Sequence, residues 1–317
     1  MTEKRPMVIL TGPTAVGKTA LSIELAKKIN GSIISADSMQ VYRHMDIGSA
    51  KVMPEEMDGV RHYLIDEFEP DEEFHVVKFV ERAKEHLEEI YAEGKIPIIA
   101  GGTGFYIQAL LYDIDFTEQE CDEAYRAELE LLATEKGAHY LHNMLREVDP
   151  ASADAIHANN IKRVIRALEF YHLSGKRISE HNEKEREKTS PYHFAYFVLT
   201  DERSHLYANI DKRVDLMIEQ GLVDEVQKLK NMGFHRDMVS MQGLGYKEIL
   251  DYLDGKTTLE EAIYIIKRET RHFAKRQLTW FRRERDVIWI DKQAYDYQDA
   301  KILDSMINIL KEKTIIN

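Results

Sequence analysis

Eight residues near the N-terminus, Gly12-Pro13-Thr14-Ala15-Val16-Gly17-Lys18-Thr19, restrict the fold of this chain more than any other stretch. An apolar run at residues 7–10 precedes them and a helix-periodic segment, residues 20–29, follows. Strand, glycine-bounded loop and helix, in that order, form the context of a phosphate-binding loop. The glycines let the backbone curl so that successive N–H groups converge on phosphate oxygens. The helix start adds positive partial charge. Lys18 brings a full charge, and the Thr19 hydroxyl can ligate a magnesium ion. The loop implies a bound diphosphate or longer group and leaves open which group is transferred.

The segments that follow continue the alternation. Buried-type strands are expected at residues 32–36, 60–65 and 96–100, with an amphipathic helix at 74–92 and a short one at 106–111. Such alternation builds a parallel sheet. From residue 113 the character changes to helical patterns at 122–135, 138–147, 151–157 and 161–174, then a charged run at 180–188 that reads as a connection. The next strand falls at 194–199. The expected fold class is α/β: a P-loop NTPase-like parallel sheet flanked by helices, with an all-helical insertion domain. The core spans 1–112 and 193–317, and the insertion 113–192. The C-terminal part reads as helices at 204–220 and 222–231, a glycine-punctuated turn at 241–247, a helix at 248–253, a long basic helix or helix pair at 259–285, a strand at 287–290 and a helix at 299–311.

The formal net charge of −13 argues against a polyanionic partner taken as a total. Its distribution argues otherwise. Lys267, Arg268, Arg271, His272, Lys275, Arg276, Arg282, Arg283 and Arg285 crowd one segment, while acid gathers at 118–123 and 128–135. A local nucleic-acid surface is compatible with that pattern. Phe273, Trp280 and Phe281, interleaved with the basic residues, read as core. One cysteine, Cys121, excludes an internal disulfide and a cysteine-built zinc site. Without an apolar N-terminal leader or a membrane-length run, a cytoplasmic protein with no membrane partner is expected.

In an open parallel sheet, ligands bind beyond the carboxyl ends of the strands. The phosphate loop, residues 37–42 and residues 101–106 all follow strands and should converge there. Asp37 then lies beside whatever the loop holds. The strand at 96–100 ends in Gly101-Gly102 instead of the aspartate of a nucleoside triphosphatase's metal strand, which weakens an ATPase or GTPase reading.

Together with the phosphate loop, Asp37-Ser38-Met39-Gln40-Val41-Tyr42-Arg43, Met45-Asp46-Ile47-Gly48-Ser49-Ala50-Lys51, Gly101-Gly102-Thr103-Gly104-Phe105-Tyr106 and Ala274-Lys275-Arg276-Gln277-Leu278-Thr279-Trp280-Phe281-Arg282 resemble the bacterial tRNA dimethylallyltransferase family. The resemblance runs over nearly the whole chain. It implies transfer of a dimethylallyl group from dimethylallyl diphosphate to N6 of adenine 37, beside the anticodon of tRNA, with Mg2+ as cofactor. The partners it implies are the tRNA anticodon stem-loop and dimethylallyl diphosphate, and a monomer is expected.

The resemblance also distributes roles. Gly12 to Thr19 would hold the departing diphosphate, with Lys18 and the magnesium ligand Thr19 stabilising its charge. Read from its neighbours alone, Arg213 is a surface arginine paired with an adjacent aspartate; the resemblance makes it a further cation for the diphosphate. Asp37 matches the general base that takes the proton of the adenine amine. Ser38, Met39 and Gln40 would recognise the base or its neighbours, and Thr103 would lie near the reacting nucleotide. Further RNA contacts map onto Arg126, onto Lys162, Arg163, Val164, Ile165 and Arg166, and onto Met241, Gln242, Gly243, Leu244, Gly245 and Tyr246. The basic helix around Lys275, Arg276 and Gln277 is another candidate. The competing functions are an adenylate isopentenyltransferase acting on a free nucleotide, a small-molecule P-loop kinase and a non-catalytic RNA-binding module.

Overall fold

Four consecutive residues, Met7 to Leu10, have no exposed surface. A strand apolar on both faces must be covered on both sides and paired on both edges, and the sheet is built around that requirement. The computed structural model describes residues 4–116 and 122–317; Cys121 and residues 118–120 of the acidic run lie outside them. The strands are β1 (Arg5–Thr11), β2 (Gly31–Ala36), β3 (His62–Tyr63), β4 (Ile96–Gly101), β5 (Tyr192–Thr200) and β6 (Val287–Asp291). They form one sheet in the order β3-β2-β4-β1-β5-β6, and every pairing is parallel. The strand expected at 60–65 shrinks to two residues. Leu64 and Asp66 take left-handed φ values of 60° and 55°, and the Leu64 N–H donates to Glu67 instead of to a neighbouring strand.

The helices, in chain order, are α1 (Lys18–Ile29), α2 (Val76–Ala92), α3 (Gly104–Leu111), α4 (Glu123–Lys136), α5 (Ala138–Val148), α6 (Pro150–Ala155), α7 (Ile161–Ser174), α8 (Ile178–Glu187), α9 (Arg203–Glu219), α10 (Leu222–Asn231), α11 (Tyr246–Leu253), α12 (Leu259–Phe281) and α13 (Asp299–Glu312). Leu21 and Leu25 of α1 and Ile302 and Met306 of α13 close over Val8, Leu10, Phe197 and Leu199. On α2, Phe79 stacks its ring on Tyr106 of α3 at 4.7 Å between centroids. The long basic segment is one helix, α12, of 23 residues. No helix among the described residues is long and apolar enough to cross a membrane.

Two compact units result: Met1–Leu111 with Pro191–Asn317, and Tyr112–Ser190. The second holds α4 to α8 around its own core of Leu129, Leu141, Leu145, Val164, Ile165, Leu168 and Phe170. Helix α8 replaces the expected connection at 180–188; its charged sequence buries only Ile178. What anchors it is Asp149. This carboxylate, 1% exposed, accepts from Ser152 N (3.0 Å) and Ser152 Oγ (2.7 Å) at the start of α6. It also accepts from Ser179 N (3.0 Å) and Ser179 Oγ (2.7 Å) at the start of α8. Although burial pushes its pKa up, the four donors win and hold it below the ordinary carboxylate value. Asp149→Ala is expected to cost about 2 kcal/mol by stranding these donors, seen as a lower unfolding midpoint. Because the folded pKa is depressed, the contribution is present at neutral pH and is lost as pH falls through that value.

Candidate functional site

The strand ends are tied to one another before any ligand is considered. Thr11 Oγ1 donates to the Gly101 carbonyl at 2.6 Å, joining the ends of β1 and β4. The Thr103 N–H donates to the Ala36 carbonyl at 3.1 Å, joining the turn after β4 to the end of β2. Between them starts the phosphate loop. At Gly12, φ is +149° and a Cβ would stand 2.5 Å from the Leu199 carbonyl oxygen, so no side chain fits where the loop leaves the sheet beside β5.

Lys18, Thr19, Asp37 and Arg213 line one cleft at this end of the sheet, together with the apolar Ile33, Val52, Ile65 and Phe273. The Lys18 ammonium donates to the Gly12 carbonyl (3.0 Å) and the Pro13 carbonyl (2.8 Å), and so lies across its own loop. Burial, then repulsion from Arg213, pushes its pKa down to about 7, against the opposing pull of Asp37. Asp37 Oδ1 accepts from Met39 N at 2.8 Å and Gln40 N at 3.4 Å. Burial raises the Asp37 pKa above the ordinary carboxylate value; the two amides, Lys18 and Arg213 oppose the rise without cancelling it. Burial likewise lowers that of Arg213, with Asp37 opposing. The neighbouring aspartates do not hold Arg213: Asp211 pairs with Arg271 at 2.5 Å and Asp215 with Lys267 at 2.6 Å, both on α12. That frees the guanidinium to face the cleft.

Two cations, a carboxylate whose basicity is raised and a loop of amides thus share one partly apolar pocket. Such a set can hold a diphosphate and accept a proton a short distance away. Among the described residues no three His, Cys, Asp or Glu side chains converge as a metal cage. Magnesium does not need one: it keeps several waters and takes phosphate oxygens beside one or two protein ligands. Thr19, in the first turn of α1 and lining the cleft, fits as its hydroxyl ligand.

Thr14, Ala15, Gly17 and Gln40 also line the cleft, while Pro13 and Val16 of the loop are buried. Ser38 is half-buried beside Asp37. Met39 reaches the Gly243 backbone so closely that a Cβ there would lie 2.5 Å from its Cε, which brings residues 37–40 and 241–246 together. Thr103 is half-buried and is not among the lining residues; its backbone supports Ala36, next to Asp37.

Several expected RNA contacts have other work. The Gln40 amide accepts from Ser35 Oγ (3.1 Å) and donates to the Ala50 carbonyl (3.1 Å), so it holds a wall of the cleft instead of presenting a free edge to a base. Tyr246 is buried, and its hydroxyl donates to Glu225 at 2.8 Å. Glu225 also accepts the N–H groups of Asp46, Ile47 and Gly48. Met241 and Gly245 are buried, Gly243 and Leu244 half-buried, and Gln242 exposed. In the insertion, Val164 and Ile165, expected among the RNA contacts, are core residues instead and cannot offer side chains to RNA, because apolar side chains on the inner face of the helix pack into the insertion's own core. Lys162, Arg163 and Arg166 are exposed on the same helix. Arg126 pairs with the buried Glu169 through Nε (2.9 Å) and Nη2 (2.8 Å), linking α4 to α7.

Two cleft residues are not apparent from sequence. Phe273 reads there as core and Gln277 as part of a basic outer surface, yet both line the pocket. The signal that could have found them is spacing: Phe273, Gln277 and Phe281 recur every fourth residue on one stripe of α12, and a lone amide in an apolar stripe faces inward.

Comparison with known proteins finds relatives over nearly the whole chain. Residues 40–284 match the family model described as IPP transferase. The chain is 65% identical to the tRNA dimethylallyltransferase of Lachnoclostridium phytofermentans over 98% of its own length and 99% of the relative's. It is 53% identical to that of Acetivibrio thermocellus, covering 95% and 96%. A solved tRNA isopentenylpyrophosphate transferase of Bacillus halodurans superposes with a TM-score of 0.73 at 47% identity, covering 98% of each chain. A eukaryotic dimethylallyltransferase solved acting on tRNA gives 0.78 at 31% identity, covering 90% of this chain and 74% of that one. These neighbours carry the P-loop NTPase-like fold. With matches of this extent, the chain belongs to the IPP transferase family, among the bacterial tRNA dimethylallyltransferases.

Proposed function

We propose that this chain transfers a dimethylallyl group from dimethylallyl diphosphate to N6 of adenine 37 in the anticodon loop of tRNA. The observation that carries it is the meeting of Lys18, Thr19, Arg213 and Asp37 in one cleft. Loop amides, Lys18 and Arg213 bind the diphosphate and stabilise the charge it gains as the allylic C–O bond breaks. A magnesium ion bound beside Thr19 would supply further neutralisation of the diphosphate. The new bond forms between the allylic carbon and N6. Asp37 accepts the N6 proton, which then passes to solvent, and diphosphate departs. A raised Asp37 pKa suits this work, because the stronger base is the better acceptor for a weakly acidic amine. The apolar wall of Ile33, Val52 and Ile65 excludes water from a carbon that would otherwise be hydrolysed.

Adenine 37 must leave the anticodon stack to react, at a cost of a few kcal/mol. Contacts to the anticodon arm offset that cost. Lys162, Arg163 and Arg166 on α7 are the side chains we assign to phosphates there. Offered an anticodon stem-loop and AMP together with dimethylallyl diphosphate and Mg2+, the enzyme is expected to prenylate the stem-loop. Mass spectrometry reads the product as a dimethylallyl increment on the loop adenosine. Product on AMP alone would assign the chain to the free-nucleotide reaction, and a phosphorylated small molecule with ATP as donor would make it a kinase.

A further inference from the structure

One buried polar group in the cleft is absent from the mechanism. Gln277, on the inward stripe of α12, is 5% exposed. Its Oε1 accepts from the Thr14 N–H at 2.9 Å and its Nε2 donates to the Gly102 carbonyl at 2.9 Å. The two partners belong to different loops: Thr14 to the phosphate loop after β1, Gly102 to the turn after β4 that leads to Thr103. The side-chain amide satisfies both at once, giving one partner an acceptor and the other a donor, which an ionised carboxylate or an apolar side chain of similar size cannot do. The approach is close: a Cβ on residue 102 would stand 2.3 Å from Gln277 Nε2, so any side chain there would push the Gln277 amide away.

The bond to Thr14 has a chemical consequence. It takes one loop amide out of the set that can face phosphate and fixes the direction of the peptide that carries it. The bond to Gly102 fixes the turn whose next residue, Thr103, donates to Ala36 beside Asp37. Gln277 thereby connects the leaving-group side of the cleft with the side that carries the base.

We propose that Gln277 is a positioning residue that sets the phosphate loop against the Gly102 turn, so that α12 reads the donor through its inner face. The part of this role that concerns the base rests on the prenyl-transfer function above; the part that concerns the loop requires only a bound diphosphate. Lys275 and Arg276 are exposed on the same helix, so the proposal separates Gln277 from any RNA contact made there.

The test compares wild type, Gln277→Leu and Gln277→Glu in the full chain. Binding of magnesium diphosphate is measured by calorimetry, stem-loop binding by fluorescence anisotropy, and transfer by steady-state kinetics. For Gln277→Leu, losing both bonds is expected to weaken diphosphate binding about tenfold and kcat/KM for the donor at least as much, with stem-loop affinity unchanged. For Gln277→Glu, the carboxylate cannot donate to Gly102, but its protonated form can. Its activity relative to wild type at the same pH should therefore recover as pH falls, a signature that a merely structural residue would not give. If the leucine variant fails to fold, the pH series of the glutamate variant decides. Unchanged diphosphate affinity, or a loss confined to stem-loop binding, overturns the proposal. A wild-type chain that binds diphosphate yet transfers no prenyl group refutes the function proposed above; the role of Gln277 is then settled by diphosphate affinity alone.

Discussion

Asp37→Asn is expected to lower the rate of prenyl transfer by about 10²–10⁴-fold while leaving stem-loop affinity largely intact. Asparagine keeps the side-chain oxygen that accepts from Met39 and Gln40, so the turn survives and the loss isolates the proton acceptor. The pH profile supplies a second signature. Asp37 must be unprotonated to act, and burial raises its pKa above the ordinary carboxylate value. Wild-type kcat/KM should therefore climb with pH through a limb displaced above that value, and the asparagine variant should lack the limb. Single-turnover rates on a stem-loop substrate across the pH range test both points. An asparagine variant that works at the wild-type rate would remove Asp37 from catalysis.

Lys18→Ala should cost about 10²–10³-fold in kcat/KM for the donor, the scale of one preorganised charge lost from the leaving group. More diagnostic is the proton that accompanies binding. In the free enzyme burial and Arg213 bring the Lys18 pKa to about 7, so above that pH the amine is largely neutral. A diphosphate in the loop favours the ammonium. Binding at about pH 8 should then take up roughly one proton, and donor affinity should fall as pH rises past about 7. Calorimetry in two buffers of different ionisation enthalpy measures the uptake directly. Lys18→Arg, charged throughout, should bind without uptake; a wild type that binds diphosphate with no proton exchange would contradict the mechanism.

The sheet was legible because its signals are local. Uninterrupted apolar runs mark strands buried on both faces, and the loop of Gly12 to Thr19 fixes the first strand–helix unit. Elements set by a single tertiary contact were not. Charge hides α8, whose start is held by Asp149, thirty residues earlier in the chain; β3 is cut short by backbone geometry at Leu64. The same division runs through the site. Lys18, Thr19 and Asp37 follow strands whose ends must converge, so their meeting was foreseeable. Gln40 and Tyr246 enter as RNA contacts through the family resemblance, with no local signal behind them. Whether an amide is free or already engaged with Ala50, or a phenol with Glu225, is decided by residues elsewhere in the chain. Val164 and Ile165 come among the RNA contacts by the same resemblance, yet both pack in the core of the insertion.

The position of β1 between β4 and β5 has a cost in time. When β4 has emerged from the ribosome, one edge of β1 is paired and the other is bare, and its second neighbour lies beyond the insertion of roughly 80 residues. From the end of β4 to the start of β5 synthesis takes on the order of 5–18 s at about 5–20 residues per second. Throughout that interval a strand apolar on both faces offers an open hydrogen-bonding edge, the geometry that recruits foreign strands. The nascent chain is therefore most vulnerable to aggregation after its catalytic loop has been made and before that loop's scaffold can close.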